Sequence, residues 1–127
     1  MTKAAIAALL AERDCARLTY RYCRAADLGA AARIAEVFTD DGVFALADRT
    51  LTGRAEIARH FTARQALTDL QTVHLCTNID IELTGADEAH GWVYVCLFRR
   101  WRDPAATTPI GNTTPALVGI YEDRYAR

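Results

Sequence analysis

Between Gln71 and Leu83 apolar and polar residues alternate, with Val73, Leu75, Ile79, Ile81 and Leu83 set against His74, Cys76, Asn78, Asp80 and Glu82. A period of two is the signature of a β-strand with two chemically different faces, and it puts His74 and Asn78 on one of them. A second strand is predicted over 88–102, joined to the first by Gly85-Ala86-Asp87, a connection short enough for an antiparallel hairpin. Prolines, threonines and a glycine mark 103–115 as a long loop, and a last strand is expected over 116–125. Upstream the period changes. Thr2 is placed to cap a long first helix, in which Ile6, Leu9, Leu10, Ala16, Tyr20 and Cys23 recur at steps of three and four, and Gly29 marks its end. A short second helix through Ala31, Ile34, Val37 and Phe38, a strand at 43–46, and a third helix entered at Thr52-Gly53-Arg54 complete the pattern. Helices at the start and strands at the end predict an α+β fold, with three N-terminal helices packed on a curved antiparallel sheet.

Composition narrows the picture. A length of 127 residues suits a single domain spanning 1–127, and 51% apolar against 24% charged residues describes a globular chain rather than a disordered one. The net charge of -1 gives no electrostatic case for nucleic acid or an anionic membrane surface. No apolar run reaches the roughly 20 residues of a membrane-spanning helix, and no secretory signal is evident, so a cytoplasmic location is the expectation. Cys15, Cys23, Cys76 and Cys96 lack the short spacings of zinc or redox motifs; buried free thiols are expected, with disulfides formally open. His74, Asp27 and Asp80 do not form a metal-ligand spacing, and no metal or other cofactor is expected.

The order of elements, together with Tyr22, Asp27, Val37-Phe38-Thr39-Asp40-Asp41-Gly42, Thr52-Gly53-Arg54-Ala55-Glu56-Ile57, His74, Asn78 and Gly119-Ile120-Tyr121-Glu122-Asp123, resembles the SnoaL-like branch of the nuclear transport factor 2-like superfamily. The resemblance implies a cone-shaped α+β barrel with a pocket between helices and sheet. Within the branch the chain is most similar to hexachlorocyclohexane dehydrochlorinase and scytalone dehydratase. Their shared device, a strand histidine oriented by an aspartate at the end of the first helix, falls here on His74 and Asp27. The departures are specific: the dehydrochlorinase's helix-one lysine falls at Tyr22, and its late arginine would lie beyond Arg127. Relatives also continue through a further strand, so the resemblance implies a shortened sheet or one completed by a partner. The base position of the ketosteroid isomerases of the same superfamily falls near Leu46, which disfavours that chemistry.

The reading that follows is a cofactor-independent lyase or isomerase acting on a hydrophobic small molecule. His74 is the candidate base, Asp27 its orienter, and Tyr20, Tyr22, Asn78 and Tyr94 the candidate substrate contacts. An imidazole suits the task because its free pKa of about 6.5 lies near neutral pH. One geometric condition must be met. If the odd-numbered residues of its strand face the core, His74 faces away, unless a twist or bulge between Leu75 and Ile79 turns it back toward the helices. The competing reading is a non-catalytic ligand-binding or assembly module. In either case Trp92, Tyr94 and Phe98 on one strand face suggest a homodimer or homotrimer formed through the sheet.

Overall fold

The structure is a computed structural model that describes residues 1–103, 105 and 114–127. Its elements run α1 (Lys3–Asp27), a 3-10 helix (Ala31–Val37), β1 (Val43–Ala45), β2 (Thr50–Thr52), α2 (Arg54–Gln65), β3 (Leu70–Leu83), β4 (Glu88–Trp101) and β5 (Leu117–Ala126). The fold is α+β. β3, β4 and β5 form one antiparallel sheet in that order, and β1 with β2 forms a separate hairpin, with no closed barrel among the described residues. The predicted loop at 103–115 falls largely on residues outside the described set.

The ends of α1 follow from local chemistry. The Thr2 hydroxyl accepts the Ala5 amide at 3.1 Å, satisfying one of the unpaired donors of the first turn. At the other end the Ala30 amide returns to the Ala25 carbonyl at 3.0 Å, and Gly29 supplies the left-handed φ of +76° that this closure requires. The helix therefore stops with Asp27 as its last residue, at a fixed place above the sheet.

The stripe expected on α1 is only partly the one that packs. Thr19, Cys23 and Ala26 are buried, but Ile6, Leu9, Leu10 and Tyr20 are exposed. A helix of 25 residues is roughly 37 Å long, and its buried residues all lie in its C-terminal half. Ala26 joins Ala31, Ile34 and Ala35 of the 3-10 helix, Leu51 of β2, and Ile57 and Phe61 of α2 in the main apolar core. The hairpin and α2 are tied to the same core by polar contacts. The Gly53 amide bonds the Gly42 carbonyl at 2.7 Å, the Arg54 side chain donates to the Phe38 carbonyl at 2.8 Å, and Glu56 accepts the Thr52 amide at 2.7 Å. The short motifs around Gly42 and Gly53 are thus halves of one joint. Strand β2, which carries no alternation of its own long enough to read, went unpredicted.

β3 holds the answer to the orientation of His74. Its pairing with β4 runs from Leu70↔Trp101 to Thr77↔Tyr94 and resumes at Asp80↔Trp92, so Asn78 and Ile79 together oppose Val93. This is a β-bulge, and Asn78 sits in it at φ +50°, a conformation that asparagine tolerates better than most residues. The extra residue inverts the parity of the strand. Before it, Thr72, His74 and Cys76 face the helices and Val73 and Leu75 face outward; after it, Ile79, Ile81 and Leu83 face inward.

On β4, Ala89, Val93, Val95 and Leu97 are buried, and Gly91 lies among them where a side chain has no room. A Cβ there would stand 2.7 Å from Ile81 Cδ1 and 2.9 Å from the Tyr125 ring. Gly91→Ala is expected to destabilise the fold by about 1–2 kcal/mol, because the Tyr125 ring must shift to admit the methyl group. Chemical denaturation would read this as a lower midpoint at unchanged slope.

Candidate functional site

α1 and β3 run side by side, and their contact brings Asp27 to His74. One oxygen of the carboxylate, Oδ1, lies 2.6 Å from His74 Nδ1 and accepts the Thr72 hydroxyl at 2.9 Å; the other, Oδ2, accepts the His74 backbone N–H at 2.8 Å. β3 is an edge strand of its sheet, so this backbone N–H points away from β4 and would otherwise have no partner in the ladder. The carboxylate therefore closes the strand edge and grips the ring in a single set of contacts.

The electrostatics follow from the geometry. Burial works against the Asp27 carboxylate, but the hydrogen bonds from the His74 ring, the His74 amide and Thr72 together outweigh it and hold the pKa below the ordinary carboxylate value. An ionised carboxylate can only accept, so Nδ1 carries the proton and Nε2 of the neutral ring keeps its lone pair. The pair is well enclosed, with side chains 7% exposed for His74 and 17% for Asp27. Against the His74 ring stands Tyr22, edge-on at 5.7 Å between centroids, and Tyr22 also meets Phe44, Phe61 and Tyr121 at 6.1–6.2 Å. Burial pushes the phenols of Tyr22 and Tyr121 above their ordinary value, so both remain protonated donors.

A cleft of about 370 Å³ opens at the α1–β3 seam, lined by Tyr20, Cys23, His74, Leu75, Cys76 and Thr77. Its size lies within the range of small-molecule sites. Of the residues singled out from sequence, His74, Asp27 and Tyr22 come together, and Tyr20 stands at the rim. Tyr94 and Asn78 do not join them. Tyr94 pairs with Thr77 on the outer face of the sheet and is exposed, and Asn78 is spent on the bulge, so it does not share the face of His74. Sequence reasoning placed Tyr121 in a family motif but not among the site residues; it reaches the interior because β5 keeps β4's parity, Tyr121 pairing with the buried Val93.

Residues 7–127 match the SnoaL-like domain family. The chain belongs to that family. The SnoaL-like fold is shared with solved structures of low sequence identity. A candidate scytalone dehydratase from Novosphingobium aromaticivorans aligns with a TM-score of 0.74 at 21% identity, covering 94% of this chain and 75% of the other. An NTF2-like protein with a cystatin-like fold from the same organism gives 0.73 at 26% identity, over 98% and 77% of the two chains. A type 2 hexachlorocyclohexane dehydrochlorinase gives 0.67 at 17% identity, over 91% and 78%. No curated protein matches the SnoaL-like chain by sequence. None of its helices is long and apolar enough to cross a membrane among the described residues.

Proposed function

We propose that this SnoaL-like protein is a cofactor-independent lyase or isomerase whose base is His74, oriented by Asp27, and whose substrate is a hydrophobic small molecule. The observation that carries the reading is the 2.6 Å contact between Nδ1 and the ionised carboxylate, in a pair shielded from water beside a cleft. With Nδ1 held, Nε2 takes a proton from an acidic C–H of the substrate, and Asp27 stabilises the imidazolium that forms. The phenol of Tyr22, whose ring stands edge-on to His74, would donate to an oxygen or halide that gains charge as it leaves, with Tyr121 hydrogen-bonded to it. Helices and curved sheet would then enclose a cone-shaped interior, with the cleft at its mouth. The likeness in fold to a candidate dehydratase and a dehydrochlorinase supports elimination over other proton-transfer chemistry.

One observation favours a second, non-catalytic reading: Asp27 also satisfies the edge amide of His74, a structural task sufficient to explain its presence. A panel of cyclic apolar compounds bearing halide or hydroxyl β to an acidic C–H separates the two. Release of halide or water by the wild type, lost in His74→Ala, supports the enzyme. Ligand binding at the cleft by NMR, without turnover and unchanged in His74→Ala, would establish the binding module.

The same reading includes self-association. Val73, Leu75, Tyr94, Val118 and Ile120 form an apolar outer face on the sheet, with Val118 73% exposed and Ile120 54%. We propose that a second or third copy covers it. Light scattering at micromolar concentration is expected to give a mass of two or three 14.0 kDa chains, and Ile120→Lys should reduce it to one. A wild type that scatters as one chain would sink the proposal.

A further inference from the structure

Beside the Asp27–His74 contact lies a second rung between the same two elements. Cys23 is four residues before Asp27 on α1, and Cys76 is two residues after His74 on β3. Four helical residues rise about 6 Å and two strand residues about 6.6 Å, so a helix lying antiparallel to a strand meets it again at this spacing. The sulfurs are 3.4 Å apart, both cysteines are free, and both line the cleft.

We infer that Cys23 and Cys76 form a dithiol site that reacts with small-molecule disulfides and closes to a Cys23–Cys76 bond, fastening α1 to β3 beside His74. The inference does not depend on the catalytic reading and can fail separately from it. A bond needs the sulfurs to close from 3.4 Å to about 2.05 Å. The two thiols are unequal. The hydrogen bond from Cys23 lowers the Cys76 pKa against the opposing effect of burial, whereas the same contact and burial raise that of Cys23.

Cys76, half-buried where Cys23 is buried, is the thiol open to an incoming disulfide and so the attacking group. Its thiolate bonds to one sulfur of the disulfide RSSR, the RS–SR bond breaks, and RS⁻ leaves and takes up a proton. Cys23 then gives up its proton and attacks the Cys76 sulfur, forming the protein disulfide and expelling the second RSH. Two protein thiols are oxidised and RSSR is reduced to two thiols.

The test uses the whole chain with oxidised glutathione. The expected product has lost the mass of two hydrogens, and peptide mapping without reductant links the segment holding Cys23 to that holding Cys76. The Tm should rise by about 10 °C, because the bond closes a long loop in the unfolded chain, and should return on adding dithiothreitol. In Cys23→Ser the same treatment should leave a glutathione adduct on Cys76, and the rise should vanish. An unchanged mass, or a wild type carrying glutathione on one cysteine with no linked peptide, would overturn the inference. The map also identifies a bond through Cys15 or Cys96, which would overturn it equally.

Discussion

Asp27→Ala is expected to destabilise the protein by about 3 kcal/mol as well as to abolish turnover. The substitution removes the acceptor for the His74 amide, the His74 ring and the Thr72 hydroxyl at once, and a buried donor left unpaired costs about 1–3 kcal/mol. Thr72 recovers part of the loss by turning to the Ala26 carbonyl, which it already approaches at 3.5 Å. Asp27→Asn should cost less, since its carbonyl oxygen still accepts. The dependence on pH identifies the charge as the cause. The pKa of Asp27 is depressed in the folded state, so its contribution is fully present above the unfolded value of about 4 and is lost as pH falls through the folded value. Urea denaturation should show the gap between wild type and Asp27→Ala constant at neutral pH and narrowing below pH ~4. A gap that stays constant to pH ~2 would mean that the carboxylate charge contributes nothing.

His74→Ala should have the opposite balance, with a large effect on rate and a smaller one on the fold. Loss of a positioned base costs about 10²–10⁴-fold in kcat, while the carboxylate of Asp27 keeps its bonds to Thr72 and to the backbone amide of residue 74. Single-turnover kinetics on the substrate found by the panel would check this. A kcat within twofold of wild type, with only KM raised, would assign His74 to binding rather than to proton transfer.

Much of this architecture was legible in the chain. The cap at Thr2, the stop at Gly29 and the β3–β4 hairpin follow from rules that involve a few neighbouring residues. The condition for an inward His74, a twist or a bulge between Leu75 and Ile79, is legible too, but the alternation alone does not say which face the histidine takes. What could not be read depends on partners distant in sequence. The exposure of Ile6, Leu9 and Leu10 reflects how far other elements reach along α1, which the helix's own periodicity does not contain. The placement of Tyr94 on the outer face depends on the register of β4 against a bulged β3, and the meeting of Cys23 with Cys76 depends on the helix lying antiparallel to the strand. The bond from the His74 amide to Asp27 is invisible to any reading of side-chain types alone, since its donor is backbone.

The bulge at Asn78 has a consequence for how this strand can change. It separates β3 into a length whose inward residues are Thr72, His74 and Cys76, and a length whose inward residues are Ile79, Ile81 and Leu83. Substitutions in the first length alter the chemistry offered to a ligand, while the apolar lining supplied by the second can stay as it is. A deletion of Asn78 would abolish that independence in one step. Either the His74 length or the Ile79 length would then have to turn its side chains to the opposite face, leaving the chain to choose between its site and its packing.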